Sequence, residues 1–454
     1  MCNYFLRVVY IRKLPYVIMA ASFLRSVRRI SHNNYSIFLG KWTATGSGSY
    51  PRGAPHMNLS TVSSSPSKLS KNSSPWLMLP PPPPASEGGV MSFKFYSLAE
   101  NKVLTLTGSE EKELSTNLRR DRRFRFRGSS LGWIALLNPH NLDLFLYNPI
   151  SRRHIKLPPI RKLPNLPMFT RDVTKVILSC SPDEDEVNCR AMMIDNGVEA
   201  LAFCWPGHSK EWTPIGEMRW WNECKGEIWS RGYVDCVYST REKVFFGLSN
   251  FGELESWDLQ DPSSPKVIQV MEVDEDKIFT HFDDILNTVC KYKKHLVVTP
   301  EQDLLMVKQY APECVAPDGS YLLYSEDRFY MTKDFNVQKY NLDKGDFEYV
   351  DGSSLGGLAL FLGYHSHSVA LPAAATPDLK PNSIYFTDAF EPEPRCTFDV
   401  DYAGRPYKDG GHDIGIFNYE DKTVSSCYYP CDVGSLKRIM PPPMWFFPSL
   451  GSVD

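Results

Sequence analysis

The decapeptide GSSLGWIALL at residues 128–137 recurs as GSSLGGLALF at residues 352–361, with seven of ten positions identical. Each copy places a glycine turn directly before a short apolar run, as expected where the inner strand of a blade starts near a crowded axis. The copies lie 224 residues apart, which corresponds to about five units of roughly 40–45 residues. This spacing predicts a β-propeller, in which similar four-stranded sheets repeat around a central axis.

The sequence around the two copies reads as an all-β chain, because short apolar runs alternate with turn residues. The runs Trp133–Leu137 and Leu142–Tyr147, for example, flank the turn-forming tetrapeptide Asn138-Pro139-His140-Asn141. Similar runs continue to residue 429, and residues 276–292 give the clearest exception, with a helical period. We therefore predict an all-β propeller of six or seven blades, closed by a terminal strand near Val90–Phe95.

The N-terminal segment has a different composition from the rest of the chain. Its first 86 residues contain ten Lys or Arg and no acidic residue, since Glu87 is the first carboxylate. Residues 19–30 would form a helix with apolar residues on one side and three arginines on the other. A basic, acid-free, amphipathic leader is typical of organellar transit segments. The competing interpretations are a plain disordered tail and a secretory signal.

These features predict two parts, a transit segment and linker at residues 1–73 and a β-propeller domain at residues 74–454. The arginine-rich helix favours the mitochondrion as the destination, because a matrix-negative potential attracts its charges. A plastid or dual targeting remains the alternative. The sequence leaves open the transit cleavage site and whether translation starts at Met1 or Met19.

The charge and the cysteine content of the domain after the leader limit which kinds of protein it can be. Residues 87–454 carry 40 basic and 53 acidic side chains, a net charge of −13, which argues against a nucleic-acid-binding body. Arginines and lysines interrupt every apolar stretch of the leader, so no membrane span is expected. Cysteines such as Cys180, Cys204 and Cys236 stand apart within apolar runs, which indicates reduced, buried thiols. We expect a monomer.

One strongly basic region interrupts the acidic domain. Residues 119–162 contain eleven basic and two acidic side chains. A strand through Phe124–Arg127 would place alternate arginines on one face and the phenylalanines on the other. The candidate patch for a polyanion such as RNA, or for an acidic protein partner, comprises Arg119, Arg120, Arg122, Arg123, Arg125, Arg127, Arg152 and Arg153. The alternative is a solvated edge strand whose arginines pair with acidic blades.

No other pattern points to catalysis or to a cofactor. The tripeptide His365-Ser366-His367 would place two imidazoles on one strand face, but no third metal ligand is identifiable, and a loop or a hydrogen-bonded pair is expected. The nucleophile-elbow, phosphate-loop, dinucleotide and zinc-protease motifs do not occur. We therefore predict no catalytic, cofactor-binding or metal-binding residues, and a protein that is not an enzyme.

Eight strings in a fixed order give the chain a family resemblance. They are SPWLML at 74–79, RGSSLGW at 127–133, LFLYNP at 144–149, HIKLPP at 154–159, GSSLG at 352–356, ALFLG at 359–363, PNSIYFTD at 381–388 and PMWFFP at 443–448. Together they resemble the plant "domain of unknown function 295" family, which implies a kelch-like β-propeller. In that family one branch carries an F-box before the propeller, and another carries an organellar leader, which this chain resembles.

The resemblance implies a non-enzymatic organellar propeller that acts as a protein-interaction platform, with a stress-related role and an unidentified partner. Two alternatives remain at this point. One is a relative of the F-box adaptors of ubiquitin ligases, although residues 14–42 lack the apolar pattern of a folded F-box. The other is an organellar RNA-associated protein that uses the arginines of residues 119–127.

Overall fold

The computed structural model describes most of the chain after residue 73. The described residues are 62–63, 74–80, 92–107, 125–139, 141–163, 172–195, 200–216, 220–223, 227–230, 232–250, 252–261, 263–271, 290–312, 330–341, 344–350, 354–376, 378–390, 413–428, 439 and 442–448. They belong to a compact unit that runs from Leu59 to Asp454. Every structural statement below concerns these residues alone.

Regular structure in the described residues consists of strands and two short 3-10 turns, Ile160–Lys162 and Ala373–Ala375. The strands are β1 (Val62–Ser63), β2 (Trp76–Leu79), β3 (Ser92–Ser97), β4 (Lys102–Thr107), β5 (Arg125–Ser130), β6 (Trp133–Leu137), β7 (Leu144–Tyr147), β8 (His154–Lys156), β9 (Val173–Leu178), β10 (Ala191–Asp195), β11 (Leu201–Cys204), β12 (Thr213–Ile215), β13 (Trp220–Glu223), β14 (Glu227–Ser230), β15 (Tyr233–Ser239), β16 (Val244–Ser249), β17 (Leu254–Asp258), β18 (Lys266–Met271), β19 (Cys290–Val298), β20 (Leu304–Pro312), β21 (Asp334–Asn341), β22 (Asp346–Tyr349), β23 (Leu358–Leu362), β24 (Val369–Pro372), β25 (Ser383–Phe386), β26 (Gly415–Asn418), β27 (Thr423–Ser425) and β28 (Met444–Phe446).

These strands form a six-bladed β-propeller, which confirms the predicted fold class. Blade 1 has the strand order β1-β4-β3-β2-β28, and blades 2 to 5 are β5 to β8, β9 to β12, β15 to β18 and β19 to β22. Blade 6 has the order β24-β23-β25-β26-β27, and β13 with β14 forms a separate hairpin between blades 3 and 4. Apolar side chains fill the spaces between adjacent blades in separate clusters, as the alternation of strand faces requires.

The ring closes where the two ends of the domain sequence meet in blade 1. Strand β28 pairs antiparallel with β2, so that Trp76 lies opposite Phe446. The predicted closing strand near Val90–Phe95 is instead β3, which lies one strand further from the axis than β2. The Trp445 side chain is fully buried, and its Nε1 donates to the Leu362 carbonyl oxygen of blade 6 at 3.0 Å. This residue therefore joins the first blade to the last.

The innermost strands approach one another closely around the axis. Strands β5, β9, β15, β19, β24 and β28 each contact the innermost strand of a neighbouring blade. In β5 a side chain at Gly128 would bring its Cβ to 2.6 Å from the Val176 carbonyl oxygen of β9. Only glycine avoids that clash, and this explains the glycine of the first sequence copy.

The apolar runs of the two sequence copies occupy equivalent places, but neither run is an innermost strand. Both runs form the second strand from the axis, β6 in blade 2 and β23 in blade 6. In blade 6 the inner strand β24 follows β23 in sequence, whereas in blade 2 the inner strand β5 precedes β6. The 224-residue offset therefore spans four blades, not five, because long connections and the β13–β14 hairpin lengthen the units.

The connections divide between two faces of the propeller. Neighbouring described strands of a blade are antiparallel, except for the parallel pairs β1–β4 and β23–β25. The longest connections start and end on one face, here called the long-connection face. These are residues 108–124, 272–289, 313–333, 387–414 and 426–443. The opposite face, here called the short-turn face, carries tight turns such as residues 131–132 and 240–243.

The helical period predicted for residues 276–292 is wrong at its end, because Tyr292 lies in strand β19. Residues 276–289 lie outside the described residues.

Replacement of Trp445 by Ala should open the ring, because it removes a buried ring and the bond to Leu362. We expect a loss of about 3–5 kcal/mol in the free energy of unfolding. Urea denaturation followed by circular dichroism measures it. Trp205→Ala is the matched control, because this half-buried tryptophan packs on the short-turn face. Equal losses in both variants would contradict a closing role for Trp445.

Candidate functional site

Charged and polar side chains converge at the axis on the side of the long-connection face. We call this set the axial cluster, and its members are Arg127, Asp172, Lys175, Asp235, His295, His365 and His367. The first halves of β5, β9 and β15, together with the residue before β9, supply four of them, because these strands begin at that face. Burial of so many charges is stable only where each charge meets an opposite charge or a hydrogen-bond partner.

An arginine–carboxylate pair forms the outer part of the axial cluster. The Arg127 guanidinium donates to both Asp172 oxygens, from Nε at 2.7 Å and from Nη2 at 2.6 Å. Arg125 Nη1 donates to the same carboxylate at 2.6 Å, but its side chain is 39% exposed, whereas that of Arg127 is 4% exposed. Burial raises the pKa of Asp172, and the charges of Arg127 and Arg125 more than reverse this, so the pKa lies below its usual value.

A second ion pair lies deeper along the axis. Lys175 Nζ donates to Asp235 Oδ1 at 2.5 Å, and both side chains are 2% exposed. Asp235 also accepts the backbone N–H of Leu296 at 2.7 Å, which ties β15 to β19. Burial raises the pKa of Asp235, but the charge of Lys175 more than reverses this, so the carboxylate stays ionised. This pair therefore joins blades 3, 4 and 5.

The tripeptide His365-Ser366-His367 enters the axis from blade 6. His365 Nδ1 lies 2.6 Å from the Thr174 carbonyl oxygen, which can only accept, so Nδ1 carries the proton. Its Nε2 lies 3.3 Å from Arg127 Nη1, which can only donate, so Nε2 accepts and the ring is neutral. Burial, followed by the Arg127 charge, lowers the pKa of His365 to about 3.

The other two residues of the tripeptide fix its backbone in the ring of inner strands. His367 N donates to the Ser129 carbonyl oxygen at 2.9 Å, and its Nδ1 lies 3.2 Å from Ser130 Oγ. Burial, followed by the Lys175 charge, lowers the pKa of His367 to about 4. Ser366 Oγ accepts the Trp445 N–H at 3.0 Å. Each of the two histidines is hydrogen-bonded to a residue of blade 2 or blade 3. No group of three or more metal-ligating side chains occurs among the described residues.

A hydrogen-bond chain extends the axial cluster toward blades 5 and 6. His295 Nε2 lies 3.0 Å from Gln309 Oε1, and Gln309 Nε2 donates to Thr332 Oγ1 at 2.7 Å. Thr332 Oγ1 in turn donates to Asp413 Oδ2 at 2.6 Å. Burial lowers the pKa of His295 to about 3. Side chains from blades 2 to 6 thus bond mainly to one another at the axis.

The predicted basic patch divides between two places. Arg119, Arg120, Arg122 and Arg123 lie outside the described residues. Arg125 and Arg127 belong to the axial strand β5, with Phe126 on the opposite face in an apolar cluster, as the alternation predicted. Arg152 is exposed in the β7–β8 turn, and Arg153 pairs there with Asp183 at 3.3 Å and with Glu186. That turn lies on the short-turn face, whereas β5 begins at the long-connection face.

Sequence reasoning missed most of the axial cluster. Lys175 and Asp235 each interrupt an apolar strand run, and each lies in the innermost strand of its blade. His295 directly follows two lysines in β19 and gives no such signal. One charged residue within an apolar run was the available signal, but its meaning depends on knowing which strand faces the axis.

Below pH 6.5 the propeller should lose stability through its buried histidines. Unfolded histidine has a pKa of about 6.5, whereas the folded values of His365 and His367 are about 3 and about 4. The depressed folded pKa means that the unfolded chain binds more protons as the pH falls from 6.5 toward 4. We expect a loss of about 1 kcal/mol per histidine between pH 6 and pH 5. Urea denaturation at these pH values measures it.

The double variant His365→Gln/His367→Asn should reduce this pH dependence relative to the unchanged chain. The exposed residue His208 provides the control, and His208→Gln should leave the slope unchanged. A double variant with the original slope would mean that neither axial histidine is held neutral.

Lys175→Met should leave the Asp235 carboxylate buried without its cation. We expect a loss of about 3–5 kcal/mol in the free energy of unfolding, measured by urea denaturation. The double variant Lys175→Met/Asp235→Asn removes both charges and should recover part of that loss. If Lys175→Met unfolds at the same urea concentration as the unchanged chain, the pair does not hold the inner strands together.

Comparisons with known proteins agree with the propeller. The profile of the KIB1-4 beta-propeller family matches residues 95–418. A curated protein of Arabidopsis thaliana, named as an F-box protein, is 22% identical over 340 residues, which cover 72% of this chain and 79% of that protein. No helix among the described residues is long and apolar enough to span a membrane.

Two solved structures illustrate the more distant likeness. The apo AztD structure from Citrobacter koseri has a TM-score of 0.29 and 12% identity, and the match covers 65% of this chain and 59% of that one. The Nup133 β-propeller domain from Vanderwaltozyma polyspora has a TM-score of 0.28 and 10% identity, with 50% and 55% covered. The chain thus spans less than two thirds of either protein, and such low scores carry no argument about function. The profile match extends over most of the propeller, and the chain belongs to the KIB1-4 beta-propeller family.

Proposed function

We propose that this chain is a non-enzymatic, monomeric protein-interaction platform that holds a protein partner on its long-connection face. The observation that carries the proposal is the arrangement around the axis. There the side chains of five blades bond to one another, while the longest connections all leave from the face that surrounds them. A rigid ring with long connections on one face is suited to holding another protein, since loops on a fixed scaffold commonly form binding sites.

We propose the mitochondrion as the place of action, with the plastid or dual targeting as the alternative. Support comes from the acid-free composition of residues 1–86, which carry ten basic side chains. The finer family assignment, to the kelch-like "domain of unknown function 295" group and its organellar branch with a stress-related role, rests on the sequence resemblance. It is compatible with membership of the KIB1-4 beta-propeller family.

An adaptor role in ubiquitin ligation is the second candidate. It is favoured by the Arabidopsis thaliana relative, because the matched 340 residues belong to a protein named as an F-box protein. In that case the same face would bind a protein to be ubiquitinated. The two candidates differ in location and in the proteins that accompany the propeller.

Fluorescent fusions separate the two candidates. We expect residues 1–86 fused to a fluorescent protein to enter mitochondria, because their positive charges respond to the membrane potential. The control fusion carries the same segment with Arg25, Arg28 and Arg29 changed to Glu and should stay in the cytosol. Cytosolic or nuclear fluorescence from the unaltered segment would contradict the organellar proposal and favour the adaptor.

Affinity purification tests the partner and its place of binding. The tagged full chain should capture a protein from isolated mitochondria with and without RNase. Replacement of residues 272–289, on the long-connection face, by a Gly/Ser linker of equal length should abolish the capture. Replacement of residues 259–265, on the short-turn face, is the matched control and should preserve it. Capture lost on RNase treatment would favour the RNA alternative, and co-purified ubiquitin-ligase subunits would favour the adaptor.

A further inference from the structure

Two cysteines face each other across the neck of the loop between β9 and β10. The pairing of these strands places Leu178 opposite Ala191, and Ser179 N donates to the Arg190 carbonyl oxygen at 2.9 Å. The next opposed pair is Cys180 and Cys189. In antiparallel sheets the position that follows such a backbone bond is a non-hydrogen-bonded one, where opposed Cα atoms are typically about 4.5 Å apart. That separation falls within the range that a disulfide spans.

The Cys189 thiol already contacts Cys180 in the reduced chain. Cys189 Sγ donates to the Cys180 carbonyl oxygen at 3.2 Å, and Cys180 Sγ donates to the Asp185 carbonyl oxygen at 3.5 Å. Both cysteines are free. Cys189 is buried, whereas Cys180 is half-buried on the short-turn face and can be reached from solvent. One cysteine is therefore placed to react first and the other to resolve the product.

We propose that Cys180 and Cys189 form a redox-responsive pair that a hydroperoxide converts into a disulfide. The Cys180 thiolate attacks one peroxide oxygen, the O–O bond breaks, and the leaving oxygen takes a proton and departs as water or an alcohol. Cys180 is then a sulfenic acid. The Cys189 thiol loses its proton, its sulfur attacks the Cys180 sulfur, and the S–O bond breaks to release water. Two thiols are oxidised, and one peroxide is reduced.

The protonation of the two thiols agrees with these roles. Interaction with the neighbouring Cys189 thiol lowers the pKa of Cys180 to about 7. The same contact, together with burial, raises the pKa of Cys189 above its usual value. A thiol with a pKa near neutral is partly ionised at pH 7 and is the better nucleophile of the two. Cys180 is thus the residue that attacks the peroxide.

The disulfide would restrain a loop of blade 3 that bonds to side chains of blade 2. Within that loop Asp183 accepts Asn148 Nδ2 at 2.7 Å and pairs with Arg153, both from blade 2. Glu186 also pairs with Arg153. A bond across the neck at Cys180 and Cys189 limits the motion of these carboxylates. Oxidation therefore stiffens the junction between blades 2 and 3 on the short-turn face.

Peptide mass spectrometry tests the pair directly, because trypsin cleaves after Lys175 and Arg190 and leaves both cysteines on one peptide. The full chain is treated with hydrogen peroxide, denatured, alkylated and digested. We expect peptide 176–190 to lose two hydrogen atoms, to resist alkylation, and to regain both thiols with dithiothreitol. Peptide 232–241, which carries the buried Cys236, is the internal control and should stay reduced.

Single variants complete the test. In Cys189→Ser, Cys180 should be trapped as sulfenic acid or oxidised further. In Cys180→Ser, Cys189 should still be a thiol after peroxide treatment and should be alkylated once the chain is denatured. On the folded chain at pH 7, Cys180 should react with iodoacetamide at least tenfold faster than Cys236. The proposal is overturned if peptide 176–190 keeps two alkylatable thiols, if Cys180 is oxidised to sulfinic acid without a disulfide, or if Cys189 links to Cys204 instead.

Discussion

The structure depends on the antiparallel pairing of β2 with β28, because a ring of blades exists only when its first and last members share a sheet. That pairing places Trp445 against blade 6, where Leu362 and Ser366 bind it. The same closure brings six inner strands to one axis and forces a glycine at position 128. Without it blade 1 and blade 6 would each expose one apolar face to water.

Closure creates an electrostatic problem at the axis, and the chain resolves it with paired charges. Arg127 and Lys175 are neutralised by Asp172 and Asp235, while the neutral His365 links the outer pair to the backbone of blade 3. Such pairs contribute less to net stability than apolar packing would, but they fix the register of the strands that meet there. The filled axis also explains why the proposed partner is assigned to the face, where the long connections start and end.

The sequence predicts the repeating strands well and the axial cluster poorly. The run Trp133–Leu137 coincides with β6, because turn residues bound it on both sides. Strand β19, in contrast, begins at Cys290, and the three lysines in its first half hide its strand character from an apolar pattern. The inner position of the short strand β24 comes from the unusual order of blade 6, which no local pattern encodes. The partners of Asp172 and Asp235 depend on contacts between residues 45 and 60 positions apart, which local patterns do not encode.

The position of β28 near residue 445 has a consequence for biosynthesis. A ribosome releases β2 several hundred residues before β28, so the first blade stays incomplete, and the ring open, until residues 444–446 have been synthesised. The last strand thus sets the earliest point at which the blades can become a closed ring.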